Sequence, residues 1–199
     1  MMHSHSNART AAAAALLLAA MACGGTGERS PSGDSAAAAR DSSAGTNPTA
    51  RPADSVVTEH GLGPLRAGMT IAEATTALGG ALAVPTEYDT TLCDYAVWRG
   101  APRGVRVMVD QGRIARVEVD SANVATAAGA RVGDSEERIQ SLYPGRVSVT
   151  PHKYEDGHYL TVNGVGDSGV AIVFETSKGR VTRYRAGRRP AVEYVEGCS

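Results

Sequence analysis

From Gly24 to Ser55 the chain carries no Leu, Ile, Phe, Tyr or Trp. The stretch opens Gly-Gly-Thr-Gly-Glu-Arg-Ser-Pro-Ser-Gly and continues in Ser, Ala, Asp, Thr and Pro to Arg51-Pro52. Its apolar surface is too small to offset the entropy of ordering it, which predicts a disordered tether over residues 23–55. Folding is thereby confined to residues 56–199, long enough for one domain with its own core. The overall hydrophobic content of 42% overstates that core, because alanines of the first 55 residues inflate it. As a flexible coil the tether would hold the folded part roughly 30 Å from its anchor.

The anchor is suggested by what precedes the tether. The run Ala11–Met21 holds five alanines, Leu16-Leu17-Leu18, two more alanines and a methionine, behind a polar leader whose one fixed positive charge is Arg9. An apolar stretch of about 11 residues is too short to span a bilayer, which needs about 20. It fits the h-region of a secretory signal over residues 1–22, with small residues at the cleavage site. Cys23 then stands at the +1 position, so the segment resembles a bacterial lipoprotein signal, in which that thiol is acylated before cleavage. Plain secretion is the alternative, since Ala20 occupies the −3 position where Leu is usual. The resemblance implies a bacterial envelope protein, held at the outer membrane and facing the periplasm, with palmitate-type chains on Cys23.

With Cys23 assigned to lipid, two cysteines remain, Cys93 and Cys198. An oxidising envelope favours a disulfide between them, with two free thiols as the alternative. The bond would close a loop of about 100 residues, worth up to about 4–5 kcal/mol in the chain-entropy model. Neither cysteine lies in a Cys-x-x-Cys motif, so redox catalysis has no support. A net charge of −1 provides no global basic field for nucleic acid or anionic lipid. Membrane contact is therefore expected through the acyl chains of Cys23.

Within 56–199 one pattern occurs twice. Arg66-Ala-Gly68-Met-Thr70 through Gly80 lines up without gaps against Arg131-Val-Gly133-Asp-Ser135 through Gly145. Each copy has a glycine and then a Thr or Ser suited to cap a helix. Thr70 with Glu73 makes a capping box, and Asp134 with Glu137 an acidic version. Apolar residues follow at helical spacing, Ile71, Ala74, Ala77 and Leu78 in one and Ile139, Leu142 and Tyr143 in the other. Gly79 and Pro144 terminate them. Strand patterns come next: Cys93–Trp98, Val105–Val109 and Arg113–Val119 in the first copy, then Val147–Tyr154, His158–Val162, Val170–Glu175 and Arg180–Arg185 in the second. The pattern predicts an α+β domain of two tandem helix-then-antiparallel-strand repeats, about 56–121 and 122–199, forming one curved sheet with helices on one face.

The segment Leu65-Arg-Ala-Gly-Met-Thr70, leading to Leu78-Gly79, resembles the opening of SmpA/OmlA-type lipoprotein domains, small α+β modules of the bacterial outer-membrane assembly machinery. Two such modules in tandem resemble the beta-lactamase inhibitor protein architecture, whose curved sheet grips another protein. The resemblance implies a protein-binding scaffold rather than an enzyme. No inhibitory-loop residue carries over, so inhibition of a beta-lactamase is not implied.

Three constellations have the residue types for chemistry or recognition. Gly166-Asp-Ser168-Gly169 invites comparison with the nucleophile motif of chymotrypsin-like proteases, but Val170 stands where a second glycine belongs and no partner histidine segment exists. It reads as a turn. Pro151-His152-Lys-Tyr154-Glu-Asp156-Gly157-His158-Tyr159 is the densest polar-aromatic patch. A two-residue Asp156-Gly157 loop pairs Tyr154 with Tyr159, whereas a three-residue loop pairs Tyr154 with His158 and brings His152 onto the same face. Even then zinc would lack third and fourth ligands, and no metal is expected. Cross-strand aromatic pairing and a recognition surface are the two readings. Arg183 and Arg185 share a strand face, suited to a carboxylate, a phosphate or an acidic partner, or else simply solvated. The matching positions of the first copy hold Arg116 and Glu118, and the single tryptophan, Trp98, is either core or anchor.

The expected function is a non-enzymatic, lipid-anchored envelope scaffold that binds another envelope protein through His152, Tyr154, Tyr159, Arg183 and Arg185, without a cofactor. The alternative is a carbohydrate-binding module for cell-envelope glycan, with tyrosines stacking on sugars. A small hydrolase is a distant third, for want of an acid, base and nucleophile set.

Overall fold

The computed structural model describes residues 56–85, 87–167 and 169–198. The signal, Cys23 and the tether therefore lie outside the described residues. The domain is mostly β, 43% strand and 12% helix, with one large antiparallel sheet and a smaller mixed one. This corrects the expected pair of helix-then-strand repeats. Strands β1 (Val56–Thr58), β2 (Gly61–Leu62) and β3 (Leu65–Arg66) precede the first helix α1 (Ile71–Ala77). After it come β4 (Leu82–Ala83), β5 (Cys93–Trp98), β6 (Val105–Asp110), β7 (Arg113–Val119) and β8 (Ala125–Thr126). The second helix α2 (Glu136–Leu142) leads to β9 (Val147–Pro151), β10 (His158–Asn163), β11 (Val170–Ser177) and β12 (Arg180–Arg188).

The physical reason for the correction lies in the weights of the elements. Each helix is seven residues long and fully buries one residue, Ala74 in α1 and Ile139 in α2. Two turns of helix cannot form a layer, because helices this short depend on tertiary packing to exist at all. The strands carry the core instead. In addition β1, β2, β3 and β8 form a separate four-stranded sheet, with β1 parallel to β8.

The large sheet runs β4-β5-β6-β7-β12-β11-β10-β9. At its centre β7 meets β12, with Val119 opposite Tyr184, Glu118 opposite Arg185 and Arg116 opposite Gly187. Gly187 is required there: a Cβ would sit 2.4 Å from the Ala115 carbonyl oxygen and 2.6 Å from the Arg116 Cα. The two strands approach because position 187 has no side chain.

Alternation assigns the two faces of this sheet opposite fates. One face packs Val107, Val117, Phe174 and Tyr184 against Ala74, Ile139 and the small sheet's Leu62 and Leu65, in one continuous apolar core. Phe174 and Tyr184 lie 5.3 Å apart by ring centroid, and the Tyr184 hydroxyl donates to the Val124 carbonyl. Trp98 flanks this core, in register with Leu82.

Local capping explains where the helices start. Thr70 accepts from the Glu73 backbone N–H while the Glu73 carboxylate accepts from the Thr70 N–H, a complete capping box. In α2 the cap is Ser135, which accepts from the Arg138 N–H. Asp134, read from sequence as the acidic cap, instead accepts from the Arg131 N–H at 2.8 Å.

Candidate functional site

The other face of the large sheet is polar and half covered. After β12 the chain makes one 3-10 turn, Ala191–Glu193, and crosses this face to Cys198. Cys198 and Cys93 stand at disulfide distance, Cα atoms 5.3 Å apart and 105 residues apart in sequence. Beneath the crossing segment lie two small apolar clusters. Met108, Ala115 and Ala191 form one, and Ala171, Val173 and Val192 the other, with Tyr159 packed beside it.

Two buried arginines fasten this segment. Arg116, 2% exposed, donates through Nε and Nη2 to one carboxylate oxygen of Glu118 at 2.9 and 2.6 Å. Its Nη1 donates to the carbonyls of Ala191 and Tyr194. Arg185, 4% exposed, gives Nε to the Val192 carbonyl and Nη1 to Glu175. Buried charge is tolerated only when paired and fully hydrogen-bonded. Here that condition is met: no buried side-chain nitrogen or oxygen lacks a partner among the described residues.

Each carboxylate also reaches outward to an exposed arginine. Glu118 accepts from Arg106 Nη2 at 2.6 Å and from the Tyr95 hydroxyl at 2.7 Å. Glu175 Oε2 lies 3.3 Å from Arg183 Nε. The side chains of Arg106 and Arg183 are 55% and 58% exposed. Burial opposes ionisation of Glu118, but the Arg116 guanidinium, the Tyr95 hydroxyl and Arg106 together hold its pKa below the usual carboxylate range. Burial also lowers the Arg185 guanidinium, with help from Arg116, to about 10, so it stays charged at neutral pH.

Between these groups opens a cleft of ≈ 250 Å³, walled by Tyr95, Arg106, Arg183, Glu196 and Gly197. Glu196 bonds to Lys153 and to the Tyr154 hydroxyl. Four cations of the cleft, Arg106, Arg116, Arg183 and Arg185, thus meet three carboxylates, Glu118, Glu175 and Glu196.

The five residues singled out from sequence are brought together here. His152 stacks on Tyr159 at 4.4 Å and 22°, and its Nε2 lies 3.6 Å from Glu175. Tyr154 meets the same imidazole edge-on at 6.5 Å. Arg185 lies 5.9 Å from the Tyr159 ring and, with Arg183, brackets Glu175. Their environments differ, however. Tyr154 and Arg183 are exposed, whereas Arg185 is buried and fully engaged.

The hairpin register differs from both sequence alternatives. His158 pairs with Pro151 and Tyr159 with Thr150, so residues 152–157 form the connection and Tyr154 is in no strand. The cause is the His152 side chain, whose Nδ1 accepts from the backbone N–H groups of Tyr154 and Glu155. That turn replaces the short Asp-Gly loop. Burial, with Arg183 and Arg185 nearby, holds the His152 pKa below the usual histidine value. His158 points elsewhere, its Nδ1 3.0 Å from the Glu136 carboxylate of α2. Among the described residues no group of three or more His, Cys, Asp or Glu side chains could hold a metal. Ser168 lies outside them, and the adjoining Asp167 accepts from the Gly169 N–H, as in a turn.

Sequence reasoning missed Glu175, Tyr95, Arg106 and the crossing segment, and treated Arg116 and Glu118 only as counterparts. One signal was available: two charged residues alternate with Val117 and Val119 in an apolar strand. Charges there require partners when the strand is covered on both faces.

No family model and no curated protein matches the chain. Among solved structures it is similar to the crystal structure of the uncharacterized protein yfeY from Escherichia coli, at 14% identity and a TM-score of 0.41, over 67% of this chain and 99% of that one.

Proposed function

We propose that the protein is a lipid-anchored component of the bacterial envelope that acts without catalysis as a scaffold, binding another envelope protein through the polar face of its large sheet. One observation carries the reading: buried Arg116–Glu118 and Arg185–Glu175 pairs fix the exposed Arg106 and Arg183 from behind. Long side chains held this way lose little freedom on binding, which is where flexible surface arginines usually forfeit affinity. Tyr154, 61% exposed, supplies an aromatic anchor at the rim. The apolar run before Cys23 and the residues after it support attachment at the membrane, with palmitate-type chains on that cysteine.

The carbohydrate reading has less support. Tyr159 is stacked on His152, and Tyr154 has the Lys153 ammonium 4.9 Å from its ring centroid. Rings engaged in this way are poor flat platforms for a sugar. A photo-cross-linking residue placed at Tyr154 in the full chain, expressed in bacteria, tests the choice. One envelope protein attached at position 154, and none from position 137 on α2, is the expected result. Retention of glycan with no protein adduct would overturn it in favour of the sugar-binding module.

A further inference from the structure

We infer that the cleft between Arg106 and Arg183 receives a carboxylate from an acidic segment of the partner. This deepens the protein-binding reading above and rests on it. Both arginines line the same cleft, and both also reach the adjoining mouth beside Thr182 and Asp120. Arg106 commits only Nη2, to Glu118, and its Nε and Nη1 have no hydrogen bond among the described residues. Arg183 faces Glu175 through Nε, and both of its Nη groups have no hydrogen bond among the described residues. Two guanidinium edges are therefore oriented and unspent on one small space.

Size and charge select the ligand class. A space of ≈ 250 Å³ accepts a side chain rather than a folded surface. Four cations line the cleft against three carboxylates, and Asp120 stands at its outer mouth. A carboxylate matches the planar guanidinium fork and brings one negative charge. A compact dianion would meet Glu118 and Glu175 at close range. Arg106 lies 4.9 Å from the Tyr95 ring centroid, so the ring and Glu118 together orient its guanidinium toward the cleft.

The test titrates hexaglutamate or inorganic phosphate into the full chain while the arginine Nε–Hε signals are followed by NMR. Hexaglutamate is expected to move the Arg106 and Arg183 signals and to bind more weakly as salt rises. In R106Q/R183Q its dissociation constant should rise at least ~10-fold, the loss of two charge-assisted contacts. R138Q, on the exposed surface of α2, should bind as wild type does. Equal binding by R106Q/R183Q overturns the assignment, as does a phosphate response at these two arginines without one from hexaglutamate. Cross-linking from position 154 that persists undiminished in R106Q/R183Q also overturns it and leaves the scaffold reading standing. Hexaglutamate binding at these arginines with no protein adduct from position 154 sustains the cleft and removes the scaffold.

Discussion

Glu175 sits in register with Arg183, yet it gives its two oxygens to different arginines, Oε1 to the buried Arg185 and Oε2 to the exposed Arg183. One carboxylate thereby couples a structural guanidinium to one that faces solvent. Removing it strands the first and loosens the second.

Glu175→Gln is therefore expected to destabilise the domain by about 3–5 kcal/mol, the usual result of leaving one member of a buried ion pair uncompensated. Urea denaturation measures it. A Glu175→Met/Arg185→Met double variant should recover much of that loss, because apolar replacement removes both charges. A double variant as unstable as Glu175→Gln would show that the pair's worth lies elsewhere.

Gly187→Ala should cost roughly 1–3 kcal/mol or more, since its methyl would meet the backbone of Ala115 and Arg116 rather than a yielding side chain. The thermal midpoint reports it. A wild-type midpoint would mean that β7 and β12 separate at no cost.

Legibility in the sequence followed the length of the elements. Strands β5 and β7 lie where apolar alternation and the glycine of Asp110-Gln-Gly112 place them. The small sheet escaped notice because its strands are two or three residues long, below what alternation can register. Helical spacing was read correctly at Ile71 and Ile139, but it says nothing about how little such a helix covers. The bulges between Met108 and Val109 and between Glu175 and Thr176 leave no sequence mark. Nor does the His152 turn, in which a side chain does the work of a peptide carbonyl. His152, Tyr159 and Glu175 could be joined only once that turn and the register of β10 were known.

Cys93→Ser/Cys198→Ser should lower stability by up to about 4–5 kcal/mol. Amide exchange should quicken first at residues 191–197, which the bond and two arginines hold down. Intact-mass analysis of the unreduced chain after alkylation should find neither Cys93 nor Cys198 modified. Modification of both would contradict the pairing.

Acid should weaken the domain in two stages. The His152 pKa is depressed in the folded state, so its contribution is complete above the ordinary value of 6.5 and is lost as pH falls below it toward the folded value. Protonation at Nδ1 would also end its acceptance from Tyr154 and Glu155. Glu118 is depressed as well, so its contribution is present above 4.5 and disappears as pH falls through its lower folded pKa. Denaturation at pH 7.5 and 5.5 should show a loss in wild type that His152→Asn reduces. An unchanged loss in that variant would assign the upper stage to another group.

The meeting of β7 with β12 has a consequence for how the chain assembles. Residues 116–119 pair with residues 184–187, so the middle of the large sheet closes only after the chain has been made through Gly187. Synthesis runs from the N-terminus, and pairings this distant in sequence form slowly. For that interval β7 is a bare edge, the kind of surface on which strands from other molecules recruit themselves. Arg116 and Glu118 then stand on that edge uncovered. Charge on an exposed edge opposes pairing with a foreign strand, and these two lie beneath the crossing segment once the sheet is closed.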